Sequence, residues 1–306
     1  PLMDPENPSL YYNFQGQVVG YNPVEALKLE KDHADTKLLD WDGTVKLNLL
    51  PLLSKNQDSP HNLSTQVMFA DHQYSNDNSW FRPSTSTRAI NGGYDGEAKR
   101  SYSKERQYVF EWLANYSVRF RKNNIKAMAG YSYQYSQYSG FSAENKDFPN
   151  DGLGPDNLGS GELAKEEGEV LMSSYKNDAK LISFFGRVSY DFDGKYLFTA
   201  SIRHEGSSKF GQNHKWGDFP AVSAAWRIKE EKWLSNVRWL SDLKLRAGYG
   251  LAGNNRIGSY NSLALMNSIL AAMNGTLKPG YAVKNIPNPN PVSYTHLPSP
   301  RDRTRS

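Results

Sequence analysis

The chain is 306 residues long, with 36 basic and 32 acidic side chains, a formal charge of +4, no cysteine and a mean hydropathy of −0.70. Only 38% of its residues are hydrophobic, and no apolar run approaches the ~20 residues of a membrane-spanning helix, so helical spans are excluded. The net charge is too small and too dispersed for a nucleic-acid surface.

Taken in order, the chain opens PLMDPENPSL, which has neither the basic n-region nor the apolar h-region of a signal peptide; the expectation is an internal piece of something longer. Thr44–Leu50 and Asn62–Asp71 form the first expected strand pair, separated by Pro51–His61. A long polar stretch follows, Ser75–Arg106. Tyr108–Arg121 and Ile125–Tyr135 flank a tight turn at Lys122, Asn123 and Asn124, with Trp112, Ala114, Tyr116, Val118 and Phe120 on one face. A second polar stretch, Ser136–Asp178, is rich in Gly, Asp, Asn and Glu. Ile182–Phe192 and Tyr196–Arg203 then flank Asp193 and Gly194, a strong two-residue turn signal. The polar loop His204–Asp218, the strand Ala221–Ile228, the connection Lys229–Ser241, the strand Leu243–Ala252 and a fourth long stretch, Asn254–Val283, follow. About seven or eight strands are expected.

The alternation is explicit. Tyr196, Phe198, Ala200 and Ile202 share one face and Leu197, Thr199, Ser201 and Arg203 the other, because successive strand side chains point to opposite sides. A soluble sandwich has the same period, so length and filling must discriminate. The alternating runs last about 9–11 residues, enough to cross a bilayer at a tilt, where globular strands average about 5–6. The second face is small or charged, as a water-filled or plugged lumen requires; a sandwich core would bury Arg187, Arg203, Arg227 and Arg246 without partners. Nineteen Tyr, thirteen Phe and seven Trp suit the aromatic girdles of a barrel, the alternative being an aromatic-lined soluble binding module. Short turns alternating with long loops are the asymmetry of outer-membrane barrels, with the long loops extracellular. The expected class is all-β, an antiparallel transmembrane β-barrel segment in the outer membrane.

Particular words carry a resemblance. FFGRVSYDFDGKYLFTASIRHEGSSKFG, WGDFPAVSAAWRIKEEKWL and LSDLKLRAGYGLAGNNRIGSY closely resemble the barrel of the SusC/RagA family of TonB-linked outer-membrane proteins of Bacteroidota. The matching elements are Gly186 with Arg187, Tyr190, Lys195 with Tyr196, Arg203, Gly206 to Phe210, Phe219 with Pro220, Trp226 with Arg227, Glu231, Leu243 to Arg246, and Gly250 with Gly253 and Asn254. Glu205 stands where the family usually has Asp. Weaker words extend the likeness from Asn22 and Pro23, so that it covers roughly residues 20 to 290.

The resemblance implies part of a TonB-dependent importer of large nutrients, glycan or oligopeptide, working with a SusD-like surface lipoprotein. Energy would come from a TonB–ExbB–ExbD complex acting through a plug and a TonB box, neither of which this sequence resembles in any part. Barrels of this type have about 22 strands around a plugged lumen, so residues 1–290 are read as a partial wall. A passive outer-membrane porin and a soluble aromatic-rich β binding module are the alternatives. Outer-membrane lipid is a partner by location, and no nucleic acid is expected.

Residues 291–306, PVSYTHLPSPRDRTRS, break off a family word after Asn290 and resemble translated sequencing-adapter read-through; a basic disordered tail is the alternative. Arg301, Arg303 and Arg305 against Asp302 account for two of the four net positive charges. Neither cofactor nor metal is expected. Asp147–Asn157 lacks EF-hand spacing, the six histidines show no paired ligand spacing, and Glu230 and Glu231 face opposite sides if on a strand. No nucleophile, base and orienting acid come together, so an enzyme is not expected. The lumen-facing arginines either pair with plug carboxylates or line a substrate path. Trp80, Phe81 and Tyr94, aromatic residues of a long loop, are the ligand-contact candidates, because rings stack on sugars; packing within the loop is the other possibility.

Overall fold

The computed structural model describes residues 3–4, 7–8, 11–12, 22–50, 59–152, 154–165, 171–211, 214–234, 237, 239–255, 257–260, 262–273 and 276–286. A short helix, α1 (Pro23–Leu29), is started by Asn22, whose side chain accepts from the Val24 N–H. Eight strands follow: β1 (Lys31–Asn48), β2 (His61–Arg82), β3 (Glu97–Phe120), β4 (Asn123–Lys146), β5 (Met172–Phe192), β6 (Tyr196–Ser207), β7 (Trp216–Arg227) and β8 (Lys244–Gly250). Each is antiparallel to the one before, in a single sheet ordered β1 to β8. A separate hairpin, β9 (Leu265–Met273) with β10 (Thr276–Asn285), comes after it. None of the described helices is long and apolar enough to cross a membrane.

The register sorts side chains into transverse rows, because directly paired residues lie on the same face. One row runs Phe120, Asn123, Phe192, Tyr196, Trp226, Leu245. Four residues further along the strands lies Leu63, Tyr116, Ala127, Val188, Ala200, Val222, Tyr249. Higher still come Val45, Val67, Trp112, Tyr131, Phe184, and then Phe69, Phe110, Tyr133, Ile182. Side chains this apolar yet open to the surroundings, such as Phe198 at 52% and Val222 at 56%, mark the lipid face. From Phe120 to Phe110 is ten residues of β3, about 34 Å of strand and about 24 Å of height at a 45° tilt, the ~25 Å of a barrel's apolar band. The opposite face presents Asn115, Met128, Arg187 and Ser201 in one row and Ser117, Lys126, Ser189, Thr199 and Ser223 in the next.

Both ends of the band carry aromatic rings in contact. At the short-turn end, Tyr196 stacks with Trp226 at 6.4 Å; at the other, Tyr131 meets Phe184 at 5.2 Å and Tyr108 stacks with Tyr135 at 6.2 Å. Glycine makes one such contact possible: a Cβ on Gly206 would sit 2.7 Å from the Trp216 ring that covers it. Asp193 and Gly194 turn the chain with positive φ, 58° and 69°, and the Lys195 N–H closes on the Phe192 carbonyl at 3.0 Å.

The structure corrects several sequence expectations. The strands are far longer than the alternating runs: β1 to β5 have 18, 22, 24, 24 and 21 residues. Much of Ser75–Arg106 and Ser136–Asp178 is therefore strand, not loop. Beyond the band both faces meet water, so hydrophobic alternation fades while backbone pairing, which needs no apolar face, continues. Asn254–Val283 holds β9 and most of β10 rather than an irregular loop. The turn after β3 is Arg121 and Lys122, since Asn123 already pairs with Phe120 and Phe192. Most of the connection Pro51–His61 and all of residues 291–306 lie outside the described residues.

Val188→Arg, at the middle of the lipid face, is expected to destabilise the complete protein by about 2–4 kcal/mol, and Ser189→Arg, one residue on and facing inward, by less than about 1 kcal/mol. Denaturant unfolding in lipid vesicles measures both; equal losses contradict the assigned faces.

Candidate functional site

The two tight turns (Arg121 and Lys122, and Asp193 to Lys195) lie at one rim of the sheet, with the connections after β1 and β7, and the connections of residues 83–96, 147–171 and 208–215 lie at the other. The long-loop rim brings the three aromatic candidates together. Trp80 and Phe81 are near the end of β2, and Tyr94 follows a second short helix, α2 (Thr87–Gly92), in the loop to β3.

Arg82 is the hub. Its Nε donates to Glu30 Oε1 at 2.8 Å, and one Nη donates to Glu97 Oε2 at 2.5 Å and to the Tyr94 hydroxyl at 3.0 Å. The guanidinium carbon lies 4.5 Å from the centre of the Trp80 ring, whose Nε1 donates to Glu30 Oε2 at 3.3 Å. Lys146 Nζ sits 3.2 Å from Glu97 Oε1 and 4.9 Å from the centre of the Tyr94 ring. The Arg82 side chain is 5% exposed, so its charge is held by two carboxylates rather than by water. Burial resists ionisation of Glu97, but Lys146 and Arg82 outweigh it and hold the carboxyl below its ordinary value. Burial pushes the Tyr94 phenol up, and the negative charge of Glu97 adds to this.

Phe81 has a different place. It is 1% exposed and packs with Ala98 and Phe148, against partly buried Leu158. It holds the loop down and offers no ring face, whereas Trp80 and Tyr94 are half-buried with part of each side chain open. The segment 147–157, weighed for calcium, is structural: Asp151 accepts from the Ser84 N–H and hydroxyl, both at 2.9 Å, and Asp147 from the Asp95 N–H at 2.8 Å. Among the described residues no cluster of His, Asp and Glu is arranged to hold a metal.

On the inner face, β5 and β6 build a second polar group that sequence reasoning saw only as words. Arg203 Nε donates to Glu205 Oε2 at 2.6 Å, and its Nη2 to the Ser183 hydroxyl at 2.8 Å, which in turn donates to Glu205 at 3.0 Å. Arg203 thus finds its carboxylate within the sheet. Arg203 and Glu205 border a hollow of about 400 Å³ shared with Met128, Phe185, Arg187 and Phe219. Arg187 and Arg246 make no ion pair among the described residues. A larger hollow bordered by Val188, Phe198, Val222 and Tyr249 lies on the lipid face and is apolar, a place for acyl chains rather than for polar cargo.

The word-level matches also acquire a geometry. Glu231, after β7, accepts from the Tyr196 hydroxyl at 2.7 Å and Trp226 Nε1 at 3.1 Å, with Lys195 Nζ at 3.4 Å. Those two donors hold its carboxyl below the ordinary value. Four residues of the quoted words thus form one clasp at the short-turn rim.

The family model of the TonB dependent receptor-like β-barrel matches residues 5–290. The chain is 30% identical over 263 residues to TonB-dependent receptor SusC of Bacteroides thetaiotaomicron, covering 81% of this chain and 23% of SusC. It is 32% identical over 210 residues to TonB-dependent receptor P3 of Formosa agariphila, covering 69% of this chain and 20% of that protein. The chain therefore spans less than a quarter of the length of these relatives. The RagAB peptide importer in its closed-closed state has a similar fold, with a TM-score of 0.76 at 22% identity over 93% of this chain and 29% of the solved one.

Arg82→Ala leaves Glu30 and Glu97 facing each other without their cation and is expected to destabilise the long-loop rim by about 3–5 kcal/mol. Hydrogen exchange in residues 83–96 is the measurement, and the lipid-facing band should be unaffected. Because the Glu97 carboxyl is held below its ordinary value, its contribution is present above the unfolded value of about 4.3 and is lost as pH falls through the folded one. Protection of this loop, corrected for the intrinsic pH dependence of amide exchange, should fall on acidification over that window, and less so in Glu97→Gln.

Proposed function

We infer that this chain, which belongs to the TonB-dependent receptor-like β-barrel family of the outer membrane, forms part of the wall of an active importer of large nutrients. The observation that carries the reading is the division of one continuous sheet into a lipid face six rows tall and a polar inner face, in a sheet that does not close on itself. β1 pairs with β2 alone and β8 with β7 alone among the described residues. Eight strands closed into a barrel enclose little more than side chains, whereas about 22 leave a lumen wide enough for a plug and for large cargo.

The cargo is an oligopeptide or a glycan: the similar RagAB assembly is a peptide importer, and the resemblance of the quoted words to the SusC/RagA family implies either class. A SusD-like lipoprotein covers the long-loop rim, and a TonB–ExbB–ExbD complex supplies energy through the plug. Arg187 and Arg246 face inward without an ion pair in the sheet and are assigned to plug carboxylates. Trp80 and Tyr94 are the ring faces offered to cargo or lid at the rim, while Phe81 acts by packing beneath them. The family is one of transporters and receptors, not enzymes.

Uptake of labelled oligopeptides and oligosaccharides by cells carrying the complete protein should cease on adding a protonophore, and a lipoprotein should co-purify with it. Uptake that persists without the proton gradient identifies a passive pore and refutes the reading. Calorimetry separates the aromatic roles: Trp80→Ala should weaken cargo binding by about tenfold with the fold intact, whereas Phe81→Ala should cost about 3–5 kcal/mol of loop stability.

A further inference from the structure

On the inner face, just above the height of the apolar band, the register sets Gln107 of β3 directly beside Ser136 of β4, with Gln134 and Tyr138 on its two diagonals. β5 extends this patch with Ala179 beside Ser136 and Leu181 beside Gln134. β6 ends at Ser207, the partner of Leu181, while β5 runs on past it. Lys209, Asn255 and Ser259, from the segments after β6 and β8, border with the patch a hollow of about 350 Å³. Small-ligand sites span about 300–1,000 Å³, so the hollow is large enough for one. It is separate from the rim platform: Trp80 pairs with Lys99, eight residues along β3 from Gln107 and so about 27 Å away along the strand.

The border is pinned to β5 at two points. The Ser208 N–H donates to the Lys180 carbonyl at 2.9 Å and the Ser208 hydroxyl accepts from the Lys180 N–H at 2.8 Å. The Tyr260 hydroxyl donates to the Asp178 carboxylate and accepts from the Asp178 N–H at 3.3 Å. At the same height the outward cations are spent on girdle rings, Arg106 over Tyr108 at 4.4 Å and Lys180 over Tyr135 at 6.0 Å. Inside, hydrogen-bonding capacity is left over. Gln107, Gln134, Ser136 and Asn255 are half-buried, and their side chains have no hydrogen-bond partner among the described residues. Each amide carries donors and an acceptor side by side, the set that meets neighbouring hydroxyl groups, which both donate and accept. The Tyr138 hydroxyl donates to Glu105, its direct partner across the strands, which fixes the ring, and the residue is still 44% exposed. Among the described residues no carboxylate borders the hollow, so a peptide ammonium would enter it without a counter-charge.

We propose that this hollow binds one sugar unit of an uncharged oligosaccharide, with the Tyr138 ring against the pyranose face and Gln107, Gln134, Ser136 and Asn255 on its hydroxyl groups. The ring supplies apolar contact on a flat face, and the amides supply discrimination, because a ligand without hydroxyls leaves them half-buried and unpaired. The proposal rests on the import reading and selects the glycan from its two cargo classes.

Calorimetry of the complete protein in neutral detergent, titrated with hexasaccharide fragments of glucan, xylan, mannan and galactan and with a pool of hexapeptides, tests it. The wild type should bind at least one of these sugars, and Gln107→Ala/Gln134→Ala should bind it at least about tenfold more weakly, with unchanged thermal unfolding. Tyr138→Leu should lose affinity in the same way, whereas Tyr138→Phe, which keeps the ring, should stay within about twofold of the wild type. If the double variant does not fold, Gln107→Leu alone serves, with the same direction expected. A wild type that binds none of the sugars, or a folded double variant with wild-type affinity for the bound one, overturns the proposal. Hexapeptide binding that the double variant loses and that no sugar displaces reassigns the hollow to peptide and overturns it as well. Binding in detergent needs no proton gradient, so passive uptake would refute active import and leave the sugar site standing. Energised uptake of peptides alone would do the reverse.

Discussion

The antiparallel ladder from β1 to β8, in unbroken register, is the constraint on which every other feature depends. A slip of one residue between any two strands would turn Val188, Phe198 and their neighbours inward and aim Arg187 and Arg203 at lipid. Lipid offers no hydrogen bonds to an unpaired backbone, so within the band the ladder must also be complete from strand to strand. Row height follows from the same register. It fixes which rings reach the interfaces, which cations stand above them and which polar side chains meet across the inner face.

Above the membrane the ladder continues without the help of a lipid face, and other forces hold it. At the long-loop rim, Phe81, Ala98 and Phe148 form a small dry cluster, and Arg82 is closed in by Glu30, Glu97, Tyr94 and Trp80. These contacts tie α1, the ends of β2 and β3, and the loop after β4 into one platform. The proposed function, import beneath a lid, requires such a platform, because a loop free to move would lose its aromatic faces to disorder on each cycle. The Glu97 carboxylate in this ion network makes the platform acid-sensitive.

The words shared with the family are not scattered. Lys195, Tyr196, Trp226 and Glu231 meet in one clasp; Arg203 and Glu205 form a hydrogen-bonded trio with Ser183; Gly206 makes room for Trp216. Glu in place of the usual Asp at position 205 keeps the carboxylate within reach of Arg203. These are local solutions to closing a turn, neutralising an inward cation and seating a ring over a strand. They speak for the fold of the wall and carry no information about cargo.

The alternation of Tyr196 to Ile202 and of Trp112 to Phe120 established strands and faces in the sequence, and the length of the runs with charged or small residues on the second face pointed to a membrane setting, because a sandwich core would fill that face with apolar side chains. The turn at Asp193 and Gly194 was legible for the same kind of local reason: both residues tolerate positive φ. The extension of β2 to Arg82 and of β3 back to Glu97 was not legible, since strands wetted on both sides need no hydrophobic pattern. Trp80, Phe81 and Tyr94 were picked out as aromatic loop residues. Only the tertiary structure decided that Phe81 is buried and that Arg82, a residue with no motif of its own, organises the other two.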